Sequence, residues 1–232
     1  VAVLAIDTSA AISVALTTDD GTVLAERVST ERRRHAEQLT PLIGEVLEAA
    51  GQGPSNLAAV AVGTGPAPFT GLRVGLITAR TLGLALDIPV WGVPIHDALA
   101  AQALALPGLT PGVELLVATD ARRKEVYTTR YQITGPRPQP GRVPGWKVLA
   151  GPTVGKAADV PGGADIVVGE GAALYPESLP LTAGAPLLPT AATLAQIAIA
   201  RAAAGAAQPT EPLYLRRADV HMAAPRREAS PQ

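Results

Sequence analysis

The 232-residue chain contains no cysteine. That excludes disulfides, thiol nucleophiles and cysteine-ligated zinc, and it agrees with an expected cytoplasmic location. Charge of one sign is not in excess either: 19 Lys and Arg stand against 20 Asp and Glu, a net charge of −1. Strong autonomous nucleic-acid binding is not expected from that balance, because such affinity comes from clustered cations neutralising phosphates. No basic region precedes the apolar run that starts at Val1, so no signal peptide is read. No apolar stretch reaches the roughly 20 residues of a bilayer-spanning helix. The longest apolar helical pattern, around 72–86, carries Arg73 and Arg80, so no membrane partner is expected. The three histidines, His35, His96 and His221, lie far apart. A helical two-histidine metal pair is therefore missing, and lone histidines of this kind are expected at the surface or as caps. No Gly-x-Ser-x-Gly elbow marks a serine hydrolase.

What remains is a chain rich enough in apolar residues, at 47%, to bury a substantial core as one large or two small domains. "VAVLAID" is a continuous apolar run ending in an acid, as in a strand buried on both faces. Two β-rich runs flank Asp19-Asp20-Gly21, which reads as a hairpin. "HAEQLTPLIGEVLEAAG" puts Leu39, Leu42, Ile43, Val46 and Leu47 on one helical stripe that ends at Gly51. Pro41 leaves its start open: either Thr40 caps it, or an earlier turn is kinked. The strands "LAAVAVG" and "IPVWGV" bracket a helix to about Leu86, and "PIHDALAAQALA" is helical again. This order, β-β-β-α-β-α-β-α, is an α/β layer with an initial meander, not an alternating Rossmann pattern. After Pro107-Gly108 the order partly repeats. "VELLVAT" and "EVYTTRYQI" flank the basic turn 120–124, with later strands in "WKVLA" and "ADIVVG", which suggests two related lobes. "GPRPQPGRVPG" (135–145) is a loop, "TLAQIAIARAAAG" a helix, and residues 218–232 a flexible tail.

The junction Gly63-Thr-Gly-Pro-Ala-Pro-Phe-Thr-Gly71 needs explanation. It leads into a helix N-terminus, where free N–H groups suit an anion, yet it matches neither a Walker A loop nor GxGxxG. The alternative is a tight turn in which Gly63 and Gly65 supply positive φ and Pro66 and Pro68 stiffen the path. Asp7-Thr8-Ser9 at the end of the first strand has two readings of equal weight: a Mg-phosphate contact, or an Asx-type turn. In the helix that follows, Gly71, Gly75, Ala79 and Gly83 recur every four residues. Each glycine costs about 1 kcal/mol there relative to alanine. A compensating close approach of a second backbone is expected, from within the chain or from a partner.

The segments "LAIDTSAAISVAL", "RHAEQLTPLI", "VAVGTGPAPFTGLRVGLITARTLGLALDIPVWGV", "ATDARRKEVY" and "PLYLR" occur in that order. Together they resemble the bacterial TsaB (YeaZ) family, a glycoprotease-like paralogue of TsaD in tRNA threonylcarbamoyladenosine biosynthesis. The resemblance is dense over 1–100 and returns at 118–127 and 212–216. Where the family reads Gly-Pro-Gly-Ser-Phe, Ala67 and Pro68 stand here and stiffen the turn.

The resemblance implies an actin- and sugar-kinase-like ATPase fold (ribonuclease H-like) of two lobes, each a mixed sheet with helices. The first lobe would be residues 1–105, joined by the helix at about 190–205, and the second 106–189. TsaD-like chains carry a two-histidine metal motif just after the "VWGV" strand. The matching positions are Ile95 and Leu99, which cannot bind metal, so the resemblance implies a non-catalytic subunit. It would dock to and activate TsaD, which transfers the threonylcarbamoyl group to the adenosine beside the anticodon. The expected docking residues are Gly71, Leu72, Arg73, Gly75, Leu76, Ala79 and Gly83, with Leu39, Leu42 and Ile43 of the preceding helix. The same face would support a homodimer when the chain is alone. A TsaE-type ATPase is a further expected partner, and tRNA an indirect one. No cofactor of its own is expected, though ATP or ADP with Mg could sit at an interface with the partner, near Asp7, Thr8, Ser9, Gly63 and Gly65. The rival reading is a stand-alone ATPase or kinase using those same residues. A glycopeptidase has no supporting residues. Direct RNA contact through the "ARRK" turn and Arg216-Arg217 is a further reading.

Overall fold

The computed structural model describes residues 1–29, 31, 34–135 and 145–216. Arg32, Arg33, most of the 135–145 loop, Arg217, His221, the arginines at 226–227 and the 218–232 tail lie outside the described residues.

The elements run β1 (Ala2–Asp7), β2 (Ile12–Thr18), β3 (Val23–Ser29), α1 (His35–Ala49), β4 (Leu57–Gly63), α2 (Phe69–Leu86), β5 (Val90–Val93), α3 (Ile95–Ala103), β6 (Glu114–Asp120), β7 (Glu125–Ile133), β8 (Trp146–Lys156), β9 (Ile166–Val168), α4 (Glu170–Leu174) and α5 (Ala191–Ala203). The first sheet has the order β3-β2-β1-β4-β5, with the meander antiparallel and β4 and β5 parallel to β1. The second has the order β8-β7-β6-β9 with the same directions: two antiparallel pairings, then β9 parallel to β6. The second sheet thus repeats the first four strands of the first. The strand order is that of the ribonuclease H-like, actin and sugar-kinase-like fold.

Alternation along β1 explains the layering. Leu4 and Ile6 face α1 and α2, where Leu39, Val46, Leu72 and Leu76 complete a core of large side chains. Val3 and Ala5 face the other way, with Ala15, Ala59 and Ala61. That low-profile face receives the alanine-rich α5 through Leu194, Ile197 and Ala198. At α1 the helix begins at His35, so Pro41 lies inside it. Gly51 closes it at φ +62°, the Gly51 N–H bonding Glu48 O and the Gln52 N–H bonding Leu47 O, a Schellman end.

Helix α2 is 18 residues with a mean hydropathy of 1.2, long and apolar enough to cross a membrane by length and composition. The expectation that it is too short is corrected on that count. Its buried residues, Leu72, Gly75, Leu76, Ala79 and Gly83, pack on β4 and β1, as in the core helix of a globular lobe. The five-residue α4 is too short to have left a periodicity in the sequence.

Candidate functional site

The two segments expected around a nucleotide lie side by side. Asp7 ends β1, Gly63 ends β4, and the carboxylate of Asp7 rests on the Cα of Gly63 so closely that a Cβ there would meet its Oδ1. Gly63 is required by this approach and not by a positive φ, which corrects one expectation; Gly65 does hold φ +93°. Asp7 accepts from Ser9 Oγ (2.7 Å) and Ser9 N–H (3.3 Å), forming an Asx-type turn. Burial pushes the Asp7 carboxyl up to about 7. Part of the junction's backbone is engaged within the chain. The Thr64 N–H donates to Val93 O (2.9 Å), Ile95 N–H donates to Gly65 O (2.8 Å), and Leu213 N–H donates to Thr64 O (2.8 Å).

The cleft between the lobes is lined by Ser9, Pro66 and Pro68 on one side and by Thr119, Asp120 and Arg122 on the other. Its narrow part has a free volume of about 20 Å³, and an adjoining hollow of about 280 Å³ opens beside it on Ser9, His35, Pro68, Thr70, Gly71 and Arg122. The narrow part accommodates one water molecule. Asp7 is 2% exposed, and Asp120 is paired with Arg122 at 3.2 Å. Among the described residues no cluster of three or more His, Asp or Glu could hold a metal ion.

Helix α2 corrects the expected trough. Thr8 fills it from within the chain: its Oγ1 donates to Gly71 O (2.8 Å) and accepts from Gly75 N–H (3.1 Å). A Cβ on Gly71 would lie 2.7 Å from Thr8 O, and one on Gly75 2.5 Å from Thr8 Oγ1. Gly83 is similarly filled by Val90 and the Ile88 carbonyl. The ridge of small residues exists to seat the helix on its own sheet. Leu39, Ile43, Leu72, Gly75, Leu76, Ala79 and Gly83 are buried, and so are not free for a partner; Leu42 is half-buried and Arg73 exposed. The surface of α2 is the opposite stripe, where Arg73, Ile77, Arg80 and Leu84 recur at helical spacing. Ile77 is 56% and Leu84 86% exposed. Arg73 stacks over the Phe69 ring at 4.8 Å, and Arg80 bonds Thr210 Oγ1 (3.1 Å) and O (2.7 Å).

Helix α3 joins the lobes. Every residue from Ile95 to Ala101 is buried, so the helix has no solvent face there. His96 is held by Thr129 Oγ1 at Nδ1 (2.7 Å) and by Thr119 Oγ1 at Nε2 (2.9 Å), both threonines belonging to the second sheet. Burial pushes its pKa down to about 3, leaving a neutral ring that donates through one nitrogen and accepts through the other. The expectation of a surface or capping histidine is wrong here. Sequence reasoning also missed Asp97, which accepts from Tyr131 OH (2.8 Å) and pairs with Arg201 of α5 (2.5 Å). The readable signal was the alanine run in "HDALAAQA": a helix without a polar face is buried on all sides.

The segment after α5 returns across the molecule. The Gly92 N–H donates to Gln208 O (3.1 Å), Tyr214 packs on Phe69 with ring centroids 4.9 Å apart, and Arg216 pairs with Glu125 (3.2 Å) and donates to Ala121 O (3.1 Å). It therefore ties the edge of the first sheet and the start of α2 to the β6–β7 turn.

These features agree with the comparisons. The family model for tRNA N6-adenosine threonylcarbamoyltransferase (TsaD) matches residues 22–156. The chain is 34% identical over 226 residues to the tRNA threonylcarbamoyladenosine biosynthesis protein TsaB of Escherichia coli, covering 92% of this chain and 94% of that one. The chain belongs to the TsaB (YeaZ) family. An uncharacterized Mycobacterium tuberculosis protein is 41% identical over 94% of this chain and 92% of its own length. The solved YeaZ structure from Pseudomonas aeruginosa superposes with a TM-score of 0.74 at 30% identity, covering 92% of this chain and 99% of that one. In this family member Ile95 and Leu99 are apolar core residues, 2% and 0% exposed, and His96 between them is spent on the two threonines.

Proposed function

We propose that this chain takes part in forming threonylcarbamoyladenosine in tRNA as a subunit without transfer chemistry of its own. It docks to and activates a TsaD-type subunit, the name its curated relatives carry being that of the same biosynthesis. The observation that carries the reading is the outer stripe of α2, where Ile77 and Leu84, 56% and 86% exposed, alternate with Arg73 and Arg80. Two large aliphatic side chains on one helix face, interleaved with cations, suit an interface of mixed apolar and polar contacts. Helix α1 continues the surface beside it: Gly44 has open space where a side chain would be. When the chain is alone the same face supports a homodimer.

A stand-alone ATPase or kinase is the weaker reading, because Asp7 is buried and engaged with Ser9 and burial raises its carboxyl pKa. A nucleotide with Mg, and a TsaE-type ATPase, belong to surfaces completed by the partner. Depletion of this chain in its own cell tests the role, with threonylcarbamoyladenosine quantified by mass spectrometry of digested tRNA. Loss of the nucleoside, restored by the wild-type gene and not by an interface variant, is expected. Undiminished modification after depletion contradicts the proposal.

A further inference from the structure

The turn joining β6 and β7 holds three successive non-glycine residues at positive φ: Arg122 at 64°, Arg123 at 53° and Lys124 at 64°. L-residues avoid this region because the Cβ crowds the following carbonyl, and glycine enters it without that cost. Three in a row, all cationic, is a conformation sustained by its surroundings and informative about use. Arg122 N–H donates to Asp120 Oδ1 (2.8 Å), Glu125 N–H donates to Arg122 O (3.0 Å), and Arg216 clamps Ala121 O and Glu125.

The turn splits its charges. Arg122 folds back onto Asp120 and lines the cleft between the lobes. Arg123 and Lys124 line a separate groove of about 440 Å³ on the second lobe, with Lys156, Tyr175 and Ser178. Arg123, Lys124 and Lys156 are exposed. The acid on the groove's lining, Glu125, is neutralised by Arg216 at 3.2 Å. Three exposed cations, a hydroxyl and a half-buried tyrosine ring around an open groove are the chemistry that holds a polyanionic strand, with the ring available for stacking.

We propose that this groove binds the phosphate backbone of RNA, and that Arg123, Lys124 and Lys156 are its phosphate contacts. The inference rests on the tRNA-modification role above and adds a direct contact from this chain. It is sequence-independent, since backbone contacts position the nucleic acid without reading bases.

The turn supplies its own control. Replacing Arg123 and Lys124 by glycine removes both charges while relieving the positive φ, so the hairpin is retained. Fluorescence anisotropy of the full chain with an unmodified tRNA transcript, from 50 to 200 mM KCl, reads the contact. The variant Arg123→Gly/Lys124→Gly/Lys156→Gln is expected to weaken binding at least tenfold at the lowest salt. The slope of log affinity on log salt should fall by about one per lost contact. Thermal unfolding should show the triple variant folded. An unchanged slope, or no tRNA binding by the folded wild-type chain at 50 mM KCl, overturns the proposal. So does a variant that keeps its RNA affinity and loses affinity for a TsaD-type subunit, which would make the groove a protein contact. Retained TsaD binding with an unchanged RNA slope would sink this inference and leave the subunit role standing.

Discussion

Replacing Gly75 by alanine discriminates between a ridge that seats α2 on its own sheet and a ridge kept open for a partner. Alanine gains about 1 kcal/mol of helix propensity over glycine, and Gly75 has an ordinary helical backbone, so an open ridge predicts a more stable protein. In the structure the new Cβ lies 2.5 Å from Thr8 Oγ1. Relieving that contact moves Thr8 and weakens its bonds to Gly71 O and Gly75 N–H, worth about 1 kcal/mol each. Overpacking of a well-filled site adds roughly 1–3 kcal/mol. After subtracting the propensity gain, Gly75→Ala should destabilise the fold by about 2–4 kcal/mol. Gly44, on the open face of α1 with nothing within 4 Å of its virtual Cβ, is the internal control. Gly44→Ala should stabilise by about 1 kcal/mol. Urea unfolding followed by circular dichroism measures both, as midpoint shifts at constant slope. A Gly75→Ala protein as stable as wild type, or more so, refutes the reasoning.

Lys124→Gly should raise the melting temperature by about 2–4 °C in a scanning fluorimetry trace, because relieving φ 64° gains about 1 kcal/mol. Asp7→Asn tests the buried carboxyl through pH. Its folded pKa of about 7 exceeds the ordinary value of 3.8, so the folded state keeps a proton that the unfolded state has lost. Asp7 thus lowers stability as pH rises from about 4 to 7. His96, with a folded pKa of about 3 against 6.5, acts oppositely and lowers stability as pH falls through that range. In wild type the two slopes oppose; in Asp7→Asn, urea midpoints from pH 4 to 6.5 should rise with pH, and the variant should exceed wild type most at pH 8. Arg201→Met removes one partner of the buried pair with Asp97 and should cost about 3 kcal/mol in the same assay.

The strands and long helices were legible because their burial is periodic. In β1 Ala2, Leu4 and Ile6 fall on one face and Val3 and Ala5 on the other, and the continuous apolar run "VAVLAID" states that both faces are buried. The repeated element order likewise announced the second sheet. The site was less legible. Four small residues at i, i+4 spacing say that something approaches closely, but spacing is the same whether Thr8 or another polypeptide fills the gap. Gly63 reads as a turn glycine, yet its role is set by a carboxylate 56 positions earlier in sequence, Asp7. The clasp of His96 by Thr119 and Thr129, and the return of residues 208–216 across both lobes, join residues distant in the chain and have no local pattern. The stripe of Ile77 and Leu84 lies on the face opposite the regularly spaced glycines and has no comparable pattern of its own.

The most direct test is the affinity of the full chain for its TsaD-type subunit by isothermal titration calorimetry, for wild type and for Ile77→Asp/Leu84→Asp. Burying an aliphatic side chain contributes about 1.5–3 kcal/mol, so losing both should cost at least 3 kcal/mol, more than a hundredfold in Kd. Tight binding by wild type that the folded double variant loses by that factor is the outcome expected. Equal affinity of the two proteins contradicts it.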